Sequence, residues 1–104
     1  MDEDIKFIAK IYSALGNENI FAILKFLEHN QRQSFTGIRN ILFEDSRKDN
    51  GSLSYCLKKM LKVGLIHKVK REYSQYGLYE ITQRGKTVLE NTDKILKLSM
   101  EQII

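Results

Sequence analysis

Residues 51–85, GSLSYCLKKMLKVGLIHKVKREYSQYGLYEITQRG, decide the fold. Their first part predicts an amphipathic helix that starts at Asn50 or Ser52 and ends near Val63, because apolar residues recur every three or four positions. Those apolar residues are Leu53, Leu57, Met60 and Leu61. Gly64 predicts the end of this helix.

The second part of the segment predicts a β-hairpin. Residues 65–70 and 78–82 are two strand-like runs joined by the polar loop 71–77, and Tyr79 and Ile81 alternate toward the interior. Another helix begins at Thr82 or Gln83 and runs to the C-terminus. This order predicts a helix-turn-helix (residues 36–63) with a wing (residues 65–82). The fold class is α+β, mainly α.

The N-terminal part of the chain predicts three more helices, which makes five in all. Isoleucines at helical spacing predict a helix over residues 3–15, and Asn17 is the predicted cap of a second, central helix ending near His29. Residues 32–35 could form a short strand. Thr36 is the predicted cap of a third helix, with Ile38, Ile41, Leu42 and Phe43 inward. Residues 44–50 are predicted to be a polar loop.

The bulk properties indicate one soluble domain, residues 1–104, with a net charge of +4. The chain has one cysteine, Cys56, which fits a reducing compartment. Neither a signal peptide nor an apolar run long enough to span a membrane is evident, so we expect a cytoplasmic location and no membrane partner.

Charge is distributed unevenly along the chain. The first 30 residues hold three cations against five acids. Between Ser46 and Arg71 the only acid is Asp49, and eight cations accompany it. Those cations are Arg47, Lys48, Lys58, Lys59, Lys62, Lys68, Lys70 and Arg71. Basic residues concentrated on one helix and one hairpin predict a surface that binds nucleic acid.

Several stretches resemble the ArsR-type winged-helix regulators of bacteria and archaea, and more loosely the MarR class. They are ALGN (14–17) with ILKFL (23–27), LSYCLKKML (53–61) with GLI (64–66), and YEITQRG (79–85). The resemblance covers nearly the whole chain in the family's order. It implies a homodimeric transcriptional regulator, with one recognition helix of each protomer in the DNA major groove.

The chain departs from the family pattern at two positions and lacks one feature of its metal sensors. Cys56 stands where the family usually has histidine, and Asn19 replaces the usual arginine. The third helix has no cysteine pair, so the resemblance gives no support for metal sensing. No group of His, Cys, Asp and Glu has chelate spacing, and no catalytic motif is present. We therefore expect no metal, no cofactor and no enzymatic activity, and we identify no small-molecule effector.

The candidate DNA-binding residues follow from this arrangement. Small polar side chains near the start of a recognition helix can reach base edges, whereas lysines along it can contact phosphates. The wing tip presents cations beside aromatic and amide groups. The candidates are Ser52, Ser54, Tyr55, Lys58, Lys59, Lys62, Lys68, Lys70, Arg71, Tyr73 and Gln75. A solvent-exposed helix face and an ordinary hairpin with lysines at its edge are the plainer interpretations.

The terminal helices are the candidate dimer interface. Both carry more apolar residues than one packing contact requires, and pairing across a two-fold axis would bury them. The candidates, from helices 1–15 and 83–104, are Ile5, Ile8, Tyr12, Leu89, Ile95, Leu96, Ser99 and Ile103.

Two questions stay open at the level of sequence, the functional class of the chain and the role of Cys56. The chain could be a sequence-specific repressor, a non-specific architectural DNA-binding protein, or a winged-helix module that binds another protein. A regulator should prefer its operator over random duplex by roughly 10³ or more. Cys56 could sense oxidants or could simply fill the core, and the second role is commoner for a lone cysteine.

Overall fold

The computed structural model describes the backbone of residues 2–42, 46–70 and 77–103, and their side chains outside residues 46–49 and 101–103. In chain order the elements are five helices and one hairpin: α1 (Glu3–Leu15), α2 (Glu18–His29), α3 (Phe35–Leu42), α4 (Ser46–Lys62), β1 (Ile66–Lys70), β2 (Gly77–Ile81) and α5 (Gln83–Ile103). The predicted winged helix-turn-helix with five helices and a two-stranded wing is confirmed.

The core is built around α2. This helix contacts all four other helices and strand β2 of the hairpin. Its residues Ile20, Ile23, Leu24 and Leu27 are fully buried. Its N-cap is Asn17, as predicted, because the Asn17 Oδ1 accepts hydrogen bonds from the backbone N–H groups of Asn19 at 2.9 Å and Ile20 at 3.2 Å. A central helix that is apolar on most sides thus packs against other elements on most sides.

The wing is an antiparallel hairpin with a third, minimal strand beside it. Residue Ile66 pairs with Ile81, and Lys68 pairs with Tyr79. Gln33 forms a β-bridge with Tyr79, with N···O distances of 3.0 and 2.7 Å. The predicted short strand at 32–35 is therefore reduced to one bridging residue. Tyr79 and Ile81 are buried, as the alternation in the sequence predicted.

The turn from α4 into the wing is fixed by backbone hydrogen bonds. The N–H of Gly64 donates to the carbonyl of Leu61, and the N–H of Leu65 donates to the carbonyl of Met60, which together make a Schellman motif. Gly64 has φ +77°, a left-handed conformation that costs other residues about 1–2 kcal/mol. The hydroxyl of Thr82 then donates to the Gly64 carbonyl oxygen at 2.6 Å, so the start of α5 is tied to the end of α4.

The structure corrects the sequence predictions around α3 and α4. The cap of α3 is Ser34 and not Thr36, since the Ser34 Oγ accepts a hydrogen bond from the N–H of Gly37 at 3.0 Å. Ile41 is 62% exposed and not inward, while Ile38 is buried. The polar loop predicted at 44–50 is wrong from Ser46 onward, because α4 already begins at Ser46. Phe43 lies outside the described residues.

Two glycines associated with α4 should respond in opposite ways to alanine. Gly51 lies inside the helix, and a Cβ added there meets no atom within 4 Å, so Gly51→Ala should stabilise the protein by about 0.5–1 kcal/mol. Gly64→Ala should destabilise it by about 1–2 kcal/mol or more, because φ is positive and the new Cβ would press on the Arg84 side chain. Denaturant unfolding at one protein concentration measures both changes. Equal effects from the two substitutions would contradict the assigned helix end.

Candidate nucleic-acid interface

The outer face of α4 carries the polar and basic residues. Leu53, Cys56, Leu57 and Met60 point into the core, and the opposite side of the helix is left for solvent. Tyr55, Lys58 and Lys62 follow one another at spacings of three and four residues on that side, and all three are exposed. Tyr55 is 57% exposed although it is a large aromatic residue. Amphipathic spacing alone therefore produces a basic helix face with a tyrosine on it.

The two candidate serines lie on the flanks of this face. Ser52 and Ser54 are half-buried, and at about 100° per residue they leave opposite sides of the helix. Asn50, one turn before Ser54, accepts a hydrogen bond from the Arg39 guanidinium of α3 at 3.2 Å. The Ser54 side of α4 is therefore turned toward α3. Arg39 therefore joins the two helices of the helix-turn-helix.

Lys59 is turned toward α1. Its Nζ donates to the Ser13 Oγ at 3.3 Å and lies 5.9 Å from the centroid of the Tyr55 ring. Between α1 and α4 there is a cavity of about 380 Å³ with a mainly apolar wall. Its polar lining residues are Lys10, Ser13, Tyr55, Lys58, Lys59 and Lys62, and Val63 forms part of its wall. Lys10 and Ser13 are not among the residues predicted for the site, because nothing in the spacing of α1 shows which helix its polar side will face.

The wing lysines form a second group. Lys68 and Lys70 are exposed and share one face of β1, because side chains two residues apart point the same way. The Lys68 Nζ lies 5.5 Å from the centroid of the Tyr79 ring, and Lys68 lines a groove with Ser34, Phe35 and Thr36 at the start of α3. Among the described residues, Lys59 of α4 thus contacts α1, and Lys68 of β1 lines a groove with the start of α3. Arg71, Tyr73 and Gln75 lie outside the described residues.

The opposite face of the wing carries a paired carboxylate. Glu80 accepts from the Arg32 Nε at 2.7 Å, and its other oxygen lies 2.6 Å from the His67 Nε2. The hydrogen bond from Arg32, followed by that from His67, lowers the pKa of Glu80. The Glu80 charge is consequently balanced by its neighbours and does not offset Lys68 or Lys70, which face the other side of the sheet.

Cys56 belongs to the core and not to the basic face. Its side chain is 1% exposed, and burial raises the pKa of its thiol, with a smaller opposing effect from the Lys59 ammonium. The thiolate is the reactive form of cysteine, and here it is disfavoured. The arrangement fits the space-filling role and gives a redox role no support.

Iodoacetamide should therefore alkylate Cys56 slowly in the folded protein. We expect a rate at least about 100-fold below that of a free cysteine at the same pH, and a normal rate once the protein is unfolded in denaturant. Mass spectrometry over a time course measures both rates. Rapid labelling of the folded protein would contradict the placement of Cys56 in the core.

The described residues predicted for the dimer interface are exposed, with one exception. In α1, Ile5, Ile8 and Tyr12 are at least half exposed. In α5 the residues Ile95, Leu96, Leu98 and Met100 are more than half exposed, and Ser99 is exposed. The placement of Leu89 in a dimer interface is wrong, because Leu89 is fully buried where the first turns of α5 pack on the core. The side chain of Ile103 lies outside the described residues.

No helix among the described residues is long and apolar enough to cross a membrane. No three His, Cys, Asp or Glu side chains in the described ranges come together as metal ligands would.

Comparison with known proteins matches the fold but not the sequence. No protein-family model matches the chain, and no curated protein matches it. Among solved structures, M. tuberculosis Rv0081 superposes with a TM-score of 0.77 at 17% identity, over 100% of both chains. An ArsR-like transcriptional regulator from Rhodococcus sp. RHA1 gives 0.63 at 18% identity, over 97% of this chain and 87% of that one. The transcriptional regulator BldR from Sulfolobus solfataricus gives 0.66 at 20% identity, over 99% and 85%. At these identities the likeness establishes the fold.

Proposed function

We propose that this chain is a homodimeric winged-helix regulator of the ArsR class, which binds double-stranded DNA in a sequence-specific manner and represses transcription by covering a promoter. The observation that carries the proposal is the exposed α4 face with Tyr55, Lys58 and Lys62. It stands on the helix of the fold that a winged helix-turn-helix inserts into the major groove. The names of two of the similar solved structures, each a transcriptional regulator, support the same function.

The described residues suggest how affinity and specificity are divided. Lys58 and Lys62 are exposed and have no carboxylate within salt-bridge distance among the described residues, so their charge is available to phosphates. Tyr55, one turn before Lys58 and two turns before Lys62, offers a hydroxyl and a ring edge to bases or to the thymine methyl group. Lys68 and Lys70 of the wing would contact the flanking backbone or minor groove, together with the candidates Arg71, Tyr73 and Gln75.

Dimerisation completes the proposal. The exposed apolar residues of α1 and α5 (Ile5, Ile8, Tyr12, Ile95 and Leu96) are unusual for a monomer, since contiguous apolar surface commonly marks an interface. A two-fold axis through these helices would present two copies of α4 to one side of a duplex. Their spacing would be one DNA turn, about 34 Å.

Selection of bound duplexes from a random pool tests this function. A regulator should enrich a palindromic consensus with half-sites about 10 base pairs apart and bind it roughly 10³ times more tightly than random duplex. Tight binding without any enriched sequence would identify an architectural DNA-binding protein instead. Failure to bind any duplex at low salt would leave a winged-helix module that binds another protein as the remaining interpretation.

A further inference from the structure

The cavity between α1 and α4 has the dimensions of a ligand site. Its volume of about 380 Å³ lies within the range of roughly 300–1,000 Å³ that small-molecule pockets occupy. The wall is mainly apolar. This character is expected of a lining that includes a tyrosine, a valine and lysines, whose methylene stems are apolar. Such a wall suits a compact apolar body rather than a sugar or a hydrated ion.

The charge around the cavity has one sign. Lys10, Lys58, Lys59 and Lys62 line it, and no aspartate or glutamate among the described side chains does. Among the described residues none of these four ammonium groups has a carboxylate within 4.0 Å, whereas Lys6 and Lys25 on neighbouring surfaces do have one. Four cations around an apolar pocket without a counter-charge create a local potential that attracts an anion.

One of the four cations is held in place. The Lys59 Nζ is fixed between the Ser13 Oγ at 3.3 Å and the face of the Tyr55 ring. An ammonium group that is already oriented loses less side-chain entropy when it binds a ligand. The Ser13 hydroxyl beside it adds a second group that can donate to a carboxylate.

The cavity lies away from the proposed dimer face. Lys10 and Tyr12 are two residues apart in a helix with about 3.6 residues per turn, so their side chains leave nearly opposite sides of α1. Tyr12 belongs to the exposed apolar stripe with Ile5 and Ile8, whereas Lys10 and Ser13 face α4. Pairing of the stripes would therefore leave the cavity accessible.

We infer that this cavity binds a small organic anion, a carboxylate or sulfonate on a flat apolar body, and that the bound anion releases DNA. Binding of the anion is independent of DNA. Release of DNA rests on the proposed function, because Lys58 and Lys62 cannot pair with the anion and with phosphates at once, and the anion would cover Tyr55. The chain would then be a regulator whose signal is an organic acid.

Titration with 1-naphthoate tests the binding half without DNA. Chemical shifts of the ¹⁵N-labelled full chain should change in a saturable way at Ser13, Tyr55 and Lys59. Two probes separate the charge from the apolar body: 1-naphthalenemethanol has the same body without charge, and acetate has the charge without the body. Each should bind at least about tenfold more weakly, the equivalent of one charge-assisted contact.

Lys10→Met is the decisive variant, because it removes one cation from the cavity and leaves every proposed DNA contact in place. It should weaken 1-naphthoate about tenfold and keep DNA affinity unchanged. Lys6→Met is the matched control on the same helix, since Lys6 does not line the cavity, and it should leave 1-naphthoate binding unchanged. Equal binding of 1-naphthalenemethanol, or shifts confined to the apolar stripe around Ile8 and Leu96, would overturn the site.

The DNA half is tested by adding saturating 1-naphthoate to the protein–duplex complex. The apparent Kd for DNA should rise at least about tenfold for the wild type, and the 1-naphthoate concentration that gives half this effect should be about tenfold higher for Lys10→Met. Binding of 1-naphthoate with no change in DNA affinity would overturn the release mechanism. A protein that binds 1-naphthoate but no duplex would contradict the proposed function and leave the anion site standing.

Discussion

Replacing Lys58 and Lys62 together by glutamate should lower the affinity for an operator duplex by about 10³-fold or more near physiological salt. Each lysine that neutralises a phosphate releases a condensed counterion, and a dimer would lose four such contacts. Glutamates in their place would also repel the phosphates. Both side chains are exposed on the outer face of α4, so the fold should tolerate the change.

The salt dependence of the same variant gives an independent reading. If each protomer neutralises about four phosphates, log K against log salt should fall with a slope of roughly −7 for the wild-type dimer, and with a slope about 3–4 units shallower for the variant. Lys6→Glu with Lys86→Glu is the matched control, because it changes net charge equally at exposed positions outside the proposed interface. An equal loss in both double variants would mean that net charge, and not the α4 face, governs binding.

The second large effect concerns the apolar stripe of α5. Leu96→Glu should convert the proposed dimer into monomer at micromolar concentration, because the proposed two-fold axis would place a charge in both halves of one interface. The loss of two leucines that are partly buried in the interface should weaken dimer association by about 2–5 kcal/mol. This corresponds to a rise in the dimer dissociation constant of at least about 30-fold. DNA affinity should fall with it, since a monomer contacts one half-site.

Ile41→Glu is the control for this substitution. Ile41 of α3 is 62% exposed and Leu96 is 59% exposed, so the two substitutions place the same charge at equally open isoleucine and leucine positions. Sedimentation velocity should find Ile41→Glu dimeric and Leu96→Glu monomeric, with matching circular dichroism for the two. A dimeric Leu96→Glu protein would exclude the C-terminal half of α5 from the interface.

Local patterns in the sequence predicted the elements because each has a strong local cause. Asn17 has its amide oxygen in position to cap α2, and Gly64 supplies the left-handed residue that a Schellman motif requires. The first turn of α4 escaped prediction because Ser46–Gly51 contains no apolar residue that could reveal a helical period, and because Gly51 resembles a helix end. A short segment without apolar residues has no hydrophobic periodicity that could reveal a helix.

Tertiary placement was predicted less well, for a physical reason. Leu89 and Leu96 both belong to the apolar stripe of α5, yet Leu89 is in the core and Leu96 is exposed, because the helix extends beyond the layer it packs on. The spacing of apolar residues along a helix does not show how far the helix extends beyond the layer it packs on. For the same reason Lys10 and Ser13 could not be associated with Lys59 from the sequence, since their meeting depends on how α1 crosses α4.

Contact between the outer face of α4 and the DNA duplex can be measured residue by residue by an NMR titration of the ¹⁵N-labelled chain with a selected operator. If this contact forms, the largest backbone shifts at equimolar DNA should fall in Ser52–Lys62, with smaller ones at Lys68 and Lys70. Shifts that concentrate on the Arg32–Glu80 face of the wing, while α4 stays unchanged, would contradict it.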